Sequence, residues 1–314
     1  MHAIVMLLIQ VLPPFAAAVP SAHAPVPLSA DPCQAAAPAA PATAALPGEG
    51  TRSRFVRLPD GVRVRVVEAG PEDGEPLVVL HGYSDSWFSF SRVLPLLADR
   101  YRIIAPDLRG HGCSDRPAGG YGMDVLADDA VWVLDALGVQ RAAVLGHSMG
   151  GFVAQQVAAR HPQRVERLVL VGTALRFAGT PMAAGLAGAV DALPDPVPVD
   201  FVRDFQVSTF HRSLPEAFVA TVIAESMKLP APVWRALMSG MLAMEPVAPA
   251  LAAGGSPTLL LWGELDAVFG PPERDALRRA LPDATSVEYA ETGHAPHWES
   301  PERFAADLRA FLDG

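Results

Sequence analysis

From Phe55 onwards the sequence alternates short, continuously apolar runs with longer amphipathic stretches. Continuous apolar runs are typical of strands that are buried on both faces, as in parallel sheets covered by helices. Five such runs are present: Leu77–Leu80, Arg102–Ala105, Ala142–Leu145, Arg167–Val171 and Thr258–Trp262. Between some of them, Val125–Leu137 and Gly151–Arg160 carry apolar residues at helical spacing. The alternation predicts an α/β fold with a mostly parallel sheet and helices on both faces.

Three further segments also have the sequence pattern of strands. Arg54–Leu58 and Val62–Glu68 alternate apolar and polar residues, and the turn residues Pro59-Asp60-Gly61 join them. This pattern predicts an antiparallel hairpin at the beginning of the domain. Ser286–Tyr289 is a last short strand before a final helix at Pro301–Leu312. The sheet is therefore expected to have eight strands.

The strand pattern is interrupted between residues 173 and 255, where helical stretches are separated by prolines. A structureless loop of this length is rare inside a compact domain, so we expect a helical cap inserted into the fold. We expect most of its large apolar residues to form the core of the cap and a few to face a ligand. They are Met182, Leu186, Phe201, Phe205, Phe210, Phe218, Trp234, Met238, Met241 and Met244.

The N-terminal region has the features of an export signal. The apolar run Ile4–Leu12 precedes Ala22-His23-Ala24, which matches the small-x-small pattern of a cleavage site. We predict a signal peptide at residues 1–24, an Ala/Pro-rich linker at 25–52 and a folded domain at 53–314. The run is shorter than the roughly 20 residues that cross a bilayer, so no membrane span is expected. A periplasmic or extracellular location follows; a cytoplasmic location stays open, because no Lys or Arg precedes the run.

Charge and cysteine content limit the partners that the chain can bind. The formal net charge is −10, which disfavours nucleic acid and anionic membrane surfaces as partners. The only cysteines are Cys33 in the linker and Cys113 in a loop. A disulfide between them is permitted in an oxidising compartment. Because it would only join a flexible linker to a loop, it would add little stability to the fold, so two free thiols are expected. The oligomeric state stays open.

The segment Gly146–Gly150, which reads Gly-His-Ser-Met-Gly, lies between a predicted buried strand and a predicted helix. In that context the G-x-S-x-G pattern indicates a sharp turn that exposes a nucleophilic serine, Ser148. Glycines are needed because side chains at Gly146 and Gly150 would collide with neighbouring segments. The helix N-terminus that follows favours a developing negative charge.

A serine hydroxyl needs a base, and the base needs a carboxylate that fixes its tautomer. The strand that ends at Trp262 leads into a loop with Glu264 and Asp266. We select Asp266, which lies farther into the loop, with Glu264 as the alternative. Near the C-terminus, His294 follows a glycine that gives its backbone room, and we select it as the base over His297.

A tetrahedral intermediate also needs two N–H donors for its oxyanion. The first candidate is the backbone N–H of Met149, directly after the nucleophile. The second is the backbone N–H of Tyr83, in the loop after the strand Leu77–Leu80. We expect His81 to brace this loop rather than to transfer protons.

The chain from about Ser53 to Gly314 resembles the α/β-hydrolase superfamily. The resemblance rests on four motifs: His81-Gly82, the turn Asp107–Asp115, Gly146–Gly150 and Gly293-His294. It implies the α/β-hydrolase fold with a cap, and a triad of Ser148, Asp266 and His294 that works without cofactor or metal. Similar proteins that open epoxides or remove halogens use an aspartate nucleophile, so the serine argues against both reactions. The simple His-Gly-x oxyanion loop departs from the Gly-rich loop of many lipases and favours a carboxylesterase or lactonase.

The expected activity is hydrolysis of carboxylic esters of small to medium apolar substrates through an acyl-enzyme, since the cap is rich in Met and Phe and poor in charge. Lactone or thioester hydrolysis, C–C bond cleavage and perhydrolysis use the same constellation and stay open. An alternative of another class is a ligand receptor whose triad turns over slowly or not at all.

Overall fold

The structure is a computed structural model that describes Cys33 and residues 51–314. The predicted signal peptide (1–24) lies outside the described residues, as does the predicted linker (25–52) except for Cys33 and residues 51–52.

The described part of the chain contains an eight-stranded sheet with the order β1-β2-β4-β3-β5-β6-β7-β8. The strands are β1 (Arg52–Arg57), β2 (Arg63–Ala69), β3 (Glu75–Leu80), β4 (Tyr101–Pro106), β5 (Ala142–His147), β6 (Val165–Val171), β7 (Thr258–Gly263) and β8 (Thr285–Tyr289). β2 pairs antiparallel with β1 and β4, and all other neighbours are parallel. The predicted fold class, a mostly parallel sheet of eight strands, is confirmed.

Helices cover the sheet and connect its strands. In chain order they are α1 (Met123–Ala136), α2 (Met149–Arg160), α3 (Pro181–Asp191), α4 (Val199–Val207), α5 (Glu216–Ser226), α6 (Ala231–Ala243), α7 (Ala248–Gly254), α8 (Pro271–Ala280), α9 (Pro296–Glu299) and α10 (Pro301–Asp313). Within residues 51–314, no helix taken alone has the length and apolar composition of a membrane span. The adjacent pair α6 and α7 meets both criteria only jointly, with a bend of 74° between the two helices.

The central strands are continuously apolar because each of their faces enters a different core layer. In β3, Val78 and Leu80 pack into one buried cluster, while Leu77 and Val79 pack into the other. Full burial of an aliphatic side chain of this size contributes about 1.5–3 kcal/mol. A sheet covered on one face only would leave half of these side chains in water, so both helical layers are needed.

Between β6 and β7 the chain leaves the sheet and forms five helices, α3 to α7, in the described structure. The first of these helices, α3, has Thr180 as its N-cap residue: Oγ1 of Thr180 accepts the N–H of Ala183 at 3.1 Å. Pro181 occupies the first helical position. Both residue types are favoured at these positions. This insertion, which we call the cap, corresponds to the segment that the sequence predicts as helical.

Cys33 and Cys113 are both disulfide-bonded. The expectation of two free thiols is therefore wrong. That expectation considered only how much a disulfide would stabilise the fold, whereas the oxidation of thiols also depends on the redox conditions of the compartment.

Candidate active site

The candidate nucleophile Ser148 lies between β5 and α2 in a strained backbone conformation, with φ 54° and ψ −116°. Residues with a side chain rarely adopt positive φ, so neighbouring groups must hold the turn. The N–H of Ser148 donates to the carbonyl of Val171 at 2.9 Å, and Thr173 Oγ1 donates to the carbonyl of Ser148 at 3.0 Å. The Ser148 side chain is presented at the wall of a cavity.

The glycines of the turn have no room for side chains. A Cβ at Gly146 would lie 2.1 Å from the carbonyl oxygen of Gly150, and a Cβ at Gly150 would lie 2.1 Å from that of Leu80. Both distances are far below van der Waals contact with backbone atoms. The motif is thus a geometric requirement of the turn between β5 and α2.

Asp266 and His294 form a buried pair beside this turn. Nδ1 of His294 lies 3.0 Å from Oδ2 and 3.1 Å from Oδ1 of Asp266. Oδ1 of Asp266 also accepts the N–H groups of Val268 at 2.8 Å and Phe269 at 3.0 Å, which fix the carboxylate. Because a carboxylate only accepts, the proton of the neutral imidazole lies on Nδ1, and Nε2 keeps its lone pair for a base reaction.

Ser148 and His294 line the same cavity. In the part of the chain that the structure describes, the hydroxyl of Ser148 makes no hydrogen bond to His294 within 3.5 Å. Catalytic hydrogen bonds are often long in ligand-free enzymes and tighten in the substrate complex. The structure therefore brings the three predicted residues to one edge of the sheet, with the acid–histidine contact formed and the serine–histidine contact open.

The two candidate oxyanion donors lie beside the serine. Neither the N–H of Tyr83 nor that of Met149 donates to another described residue, so both are available to a ligand. The hydroxyl of Tyr83 donates to the carbonyl of Trp234 at 2.7 Å, which anchors the loop against the cap. Ser84, the next residue, has a positive φ of 62°, so this loop is strained as well.

The alternatives for acid and base have other partners. Glu264 is exposed, and its carboxylate accepts the N–H of Glu291 at 3.4 Å. His297 is buried; its Nε2 lies 3.3 Å from Ser89 Oγ, and its ring stacks on Phe90 at 5.1 Å between centroids. Among the described residues, Glu264 forms no hydrogen bond with His294, and His297 forms none with Asp266.

His81 braces the oxyanion loop from beneath. Its Nε2 accepts the N–H of Leu108 at 2.9 Å, so Nδ1 carries the proton and donates to the carbonyl of Gly82 at 2.9 Å. Burial lowers the pKa of His81 to about 4, so the ring is neutral at pH 7.

His147, the residue before the nucleophile, holds the backbone of the candidate base. Its Nε2 lies 3.1 Å from the carbonyl oxygen of His294. Burial, reinforced by the nearby His297 and His294, keeps the pKa of His147 well below its usual value. The neutral ring must therefore carry its proton on Nε2, because a carbonyl can only accept. No sequence pattern indicates this contact of His147, because its partner is a main-chain group far away in the sequence.

Asp85 is a cavity residue that the sequence analysis did not identify. Its side chain is 5% exposed, and it lines the same cavity as Ser148. Oδ1 accepts from Gln206 Nε2 at 3.1 Å, and Oδ2 accepts from Ser89 Oγ at 3.2 Å. Burial raises the pKa of the Asp85 carboxyl to about 6, against these two hydrogen bonds, which lower it. In the sequence Asp85 stands between Ser84 and Ser86, a composition that is typical of a solvent-exposed turn, so no pattern indicates its burial.

Both the core and the cap form the walls of the cavity. Of the ten large apolar cap residues, four line it: Met182, Leu186, Phe205 and Met241. Phe152 and Phe269 add aromatic surface from the core, and Phe177 adds it from the segment between β6 and α3. The site therefore combines a largely apolar wall with a polar end at Ser148.

The base of the cap is hydrogen-bonded to the loop that carries the histidine. The N–H of His294 donates to the carbonyl of Thr209 at 2.8 Å. The carboxylate of Glu299 accepts three backbone N–H groups, from His211 at 3.0 Å, Arg212 at 2.7 Å and Gly293 at 2.9 Å. The segment after α4 and the histidine loop are thereby held together.

Fold and site together place a strained serine turn at the carboxyl edge of a mostly parallel sheet. A family model described as the alpha/beta hydrolase fold matches residues 75–217. The chain belongs to the α/β-hydrolase superfamily, as the sequence resemblance predicts.

Individual relatives cover several hydrolytic reactions. A 2-hydroxymuconate semialdehyde hydrolase from a Pseudomonas species is 45% identical over 118 residues, which are 36% of this chain and 41% of that protein. A soluble epoxide hydrolase from a Corynebacterium species is 38% identical over 138 residues, 44% of each protein. The chain thus spans less than half the length of these two relatives. Among solved structures, an esterase from a Rhodococcus species superposes with a TM-score of 0.73 at 28% identity, over 83% of this chain and 98% of that one.

Proposed function

We propose that this protein is a serine hydrolase that cleaves carboxylic esters of small to medium apolar substrates through an acyl-enzyme. The observation that carries the proposal is the position of Ser148 on a strained turn, at the wall of the cavity that also contains the Asp266-bound His294. A serine in this setting is a nucleophile with an adjacent base.

In the first half-reaction, Ser148 Oγ attacks the ester carbonyl carbon while His294 Nε2 takes the hydroxyl proton. The N–H groups of Tyr83 and Met149 donate to the oxyanion that forms. The C–O bond to the alcohol then breaks, and the imidazolium of His294 gives its proton to the departing alkoxide. In the second half-reaction, His294 takes a proton from water, the resulting hydroxide attacks the acyl carbon, and the proton returns to Ser148 as the acid leaves. Asp266 stabilises the imidazolium in both steps.

Ester cleavage is favoured over epoxide opening because the nucleophile position holds a serine. An alkyl-enzyme formed by a serine would be an ether, which water does not cleave as it cleaves an ester. The similarity to the Rhodococcus esterase over most of the chain also supports an esterase. The similarity to the semialdehyde hydrolase, which covers 36% of this chain, keeps C–C bond cleavage as the competing outcome of a substrate screen.

An active-site-directed phosphonate probe tests the nucleophile. We expect prompt covalent labelling of the wild type and none of Ser148→Ala. Well-folded wild-type protein that remains unlabelled would favour the ligand receptor over the hydrolase.

A substrate screen on the same preparation tests the reaction class. We expect turnover of p-nitrophenyl esters with short to medium acyl chains. A preference for lactones, or turnover of a vinylogous 1,5-diketone without ester turnover, would replace the esterase with a lactonase or a C–C bond hydrolase.

We also infer that the mature protein is exported and begins after Ala24. Two features support this: the apolar run before the Ala22-His23-Ala24 motif, and a disulfide-bonded state of the cysteines, which is characteristic of oxidising compartments. N-terminal sequencing of protein recovered from the periplasm or medium should begin at Pro25. Recovery only from the cytoplasm, with residues 1–24 still attached, would contradict export.

A further inference from the structure

Gly82, Asp85, His147 and Ser148 line the polar end of the cavity, and we call this end the Gly82 notch. Gly82 has no side chain to fill it. A Cβ placed there would lie 3.0 Å from Asp85 Oδ2, 3.2 Å from His147 Nδ1 and 3.4 Å from Ser148 Cβ. The notch is therefore immediately beside the carbon that carries the nucleophilic oxygen.

Asp85 contributes an acceptor whose charge has no counterion. In the residues that the structure describes, this carboxylate forms no ion pair with an Arg, Lys or His within 4.0 Å, and none of the residues that line the cavity is Lys or Arg. A buried carboxylate without a cationic partner is unfavourable by several kcal/mol. Its hydrogen bonds to Gln206 and Ser89 hold it in place but supply no charge.

His147 contributes a second acceptor. Its Nε2 proton is committed to the carbonyl of His294, so Nδ1 presents a lone pair. Nδ1 is buried and has no hydrogen-bond partner. A buried acceptor without a donor is also energetically unfavourable. Two acceptors thus face one notch: Asp85 accepts only from uncharged donors, and Nδ1 of His147 accepts from no described residue.

We propose that the Gly82 notch is a subsite for a hydrogen-bond donor of the substrate, an ammonium or hydroxyl group one or two bonds from the scissile carbonyl. Asp85 and His147 are the acceptors. The inference rests on the proposed ester hydrolysis and adds a substrate class to it: esters of amino or hydroxy acids. A carboxylate at the same position is excluded, because it would face Asp85 with no cation to neutralise either charge.

The aromatic residues around the notch are compatible with a cationic group. Phe205 and Trp298 line the same cavity as Asp85, and the electron-rich face of an aromatic ring attracts an ammonium group. The apolar remainder of the cavity accommodates the rest of the acyl chain.

A matched series of four ethyl esters isolates the donor. Each is ethyl butyrate with one substituent at carbon 2: methyl, hydroxyl, ammonium or carboxylate, the last being the half-ester of ethylmalonate. The methyl, hydroxyl and ammonium groups each have one heavy atom, so differences in kcat/KM among these three esters report polarity. The carboxylate is larger, and its response to Asp85→Asn separates its charge from its size. A single charge-assisted hydrogen bond is worth about 1.5–3 kcal/mol, so we expect the hydroxyl and ammonium esters to exceed the methyl ester by about 10- to 100-fold. The carboxylate ester should be at least about tenfold poorer than the methyl ester.

Two variants assign the preference to the notch. Asp85→Asn keeps the shape and removes the charge, so the ammonium-to-methyl ratio of kcat/KM should fall at least about tenfold while the carboxylate ester improves. Gly82→Ala fills the notch and should abolish both preferences. The exposed cap variant Asp200→Asn makes the same chemical change away from the cavity and should leave all four ratios unchanged. Thermal melting of each variant checks its folding.

The outcomes separate the subsite from the proposed function. Equal losses of all four substrates in Asp85→Asn would give Asp85 a purely structural role and overturn the subsite. So would a wild type that cleaves the methyl ester as fast as the hydroxyl and ammonium esters. If no ester in the series is cleaved and the phosphonate probe does not label Ser148, the ester hydrolase itself is refuted.

A pH series gives a second readout of the carboxylate. The ratio of the ammonium ester to the hydroxyl ester cancels the titration of the shared catalytic groups. As pH falls through about 6, Asp85 gains a proton and loses its charge, so this ratio should fall. A ratio that is flat between about pH 5 and 7 would show that Asp85 does not contact the ammonium group. The titratable groups that face Asp85 from neighbouring elements are His147, His294, His297 and the ion-paired Glu225 and Lys228.

Discussion

Replacement of Asp266 by asparagine changes the hydrogen-bonding character of one atom beside His294. Oδ1 of Asp266 accepts two backbone N–H groups, from Val268 and Phe269. The carbonyl oxygen of an asparagine must therefore remain at this position, and its NH₂ group takes the place of Oδ2, 3.0 Å from His294 Nδ1. A donor at that position repels the Nδ1 proton and favours the tautomer with its proton on Nε2, which cannot act as a base.

The size of the effect follows from the second contact of the same imidazole. In serine hydrolases with this constellation, loss of the correct tautomer costs up to about 10⁴-fold in kcat. Here Oδ1 lies 3.1 Å from Nδ1 and can still accept the proton in part. We therefore expect Asp266→Asn to lower kcat/KM about a thousandfold, which is about 4 kcal/mol in activation free energy.

The assay is initial-rate hydrolysis of p-nitrophenyl butyrate by folded variant and wild type. Glu264→Gln is the matched control, because it makes the same chemical change at an exposed carboxylate of the same loop. It should retain at least about a third of the wild-type rate, as expected for a surface change. A folded Asp266→Asn enzyme within tenfold of the wild type would refute the tautomer reasoning. A larger loss in Glu264→Gln would move the acid to that residue.

Three further changes test neighbouring parts of the site. His294→Ala should lower kcat by at least about 10³-fold, whereas His297→Ala should lower it less than about tenfold in the same assay; similar losses would mean that the base is misassigned. Gly150→Ala puts a methyl group against backbone and should prevent soluble folded protein from accumulating, so a well-folded variant with wild-type melting would contradict the geometry of the turn. Thr173→Val removes the hydroxyl that donates to Ser148 and should lower the free energy of unfolding by about 1 kcal/mol in urea titration. No change in stability would mean that this bond does not support the turn.

The strands of the parallel sheet were predictable because each is apolar on both faces. The run Leu77–Leu80 lies within β3 (Glu75–Leu80), and Thr258–Trp262 lies within β7 (Thr258–Gly263). The order of the strands in the sheet was not predictable in this way. β4 lies between β2 and β3 in the sheet, although it follows both in the sequence. Hydrophobic pattern shows which residues are buried but not which strand is adjacent.

The residues at strand ends were also accessible from the sequence. Ser148 follows β5, and Asp266 and His294 follow β7 and β8, so parallel strand direction alone brings all three to one edge. The choice of Asp266 over Glu264 rested on loop position, and the structure places Asp266, not Glu264, in contact with the histidine.

Two features of the site could not be predicted from strand ends: the position of Asp85 in the cavity and the hydrogen bond between His147 and the carbonyl of His294. The burial of Asp85 depends on Gln206, which the cap supplies from far away in the sequence. The tautomer of His147 depends on a carbonyl group of the histidine loop. Main-chain partners and long-range polar contacts leave no periodic pattern, so only the assembled structure shows them.

The bonds from Thr209 and from Glu299 to the histidine loop limit how the protein can be re-engineered. Anyone who exchanges the helical insertion for that of a relative, to change substrate preference, would also remove the hydrogen bonds that hold the loop of His294, the proposed general base. Graft boundaries should therefore be placed so that residues 206–212 stay with the recipient. Within those boundaries, Met241 of α6 is a cavity-lining side chain that can be varied, whereas Phe218 and Val222 of α5 pack against Ala295 and Trp298 beside the histidine.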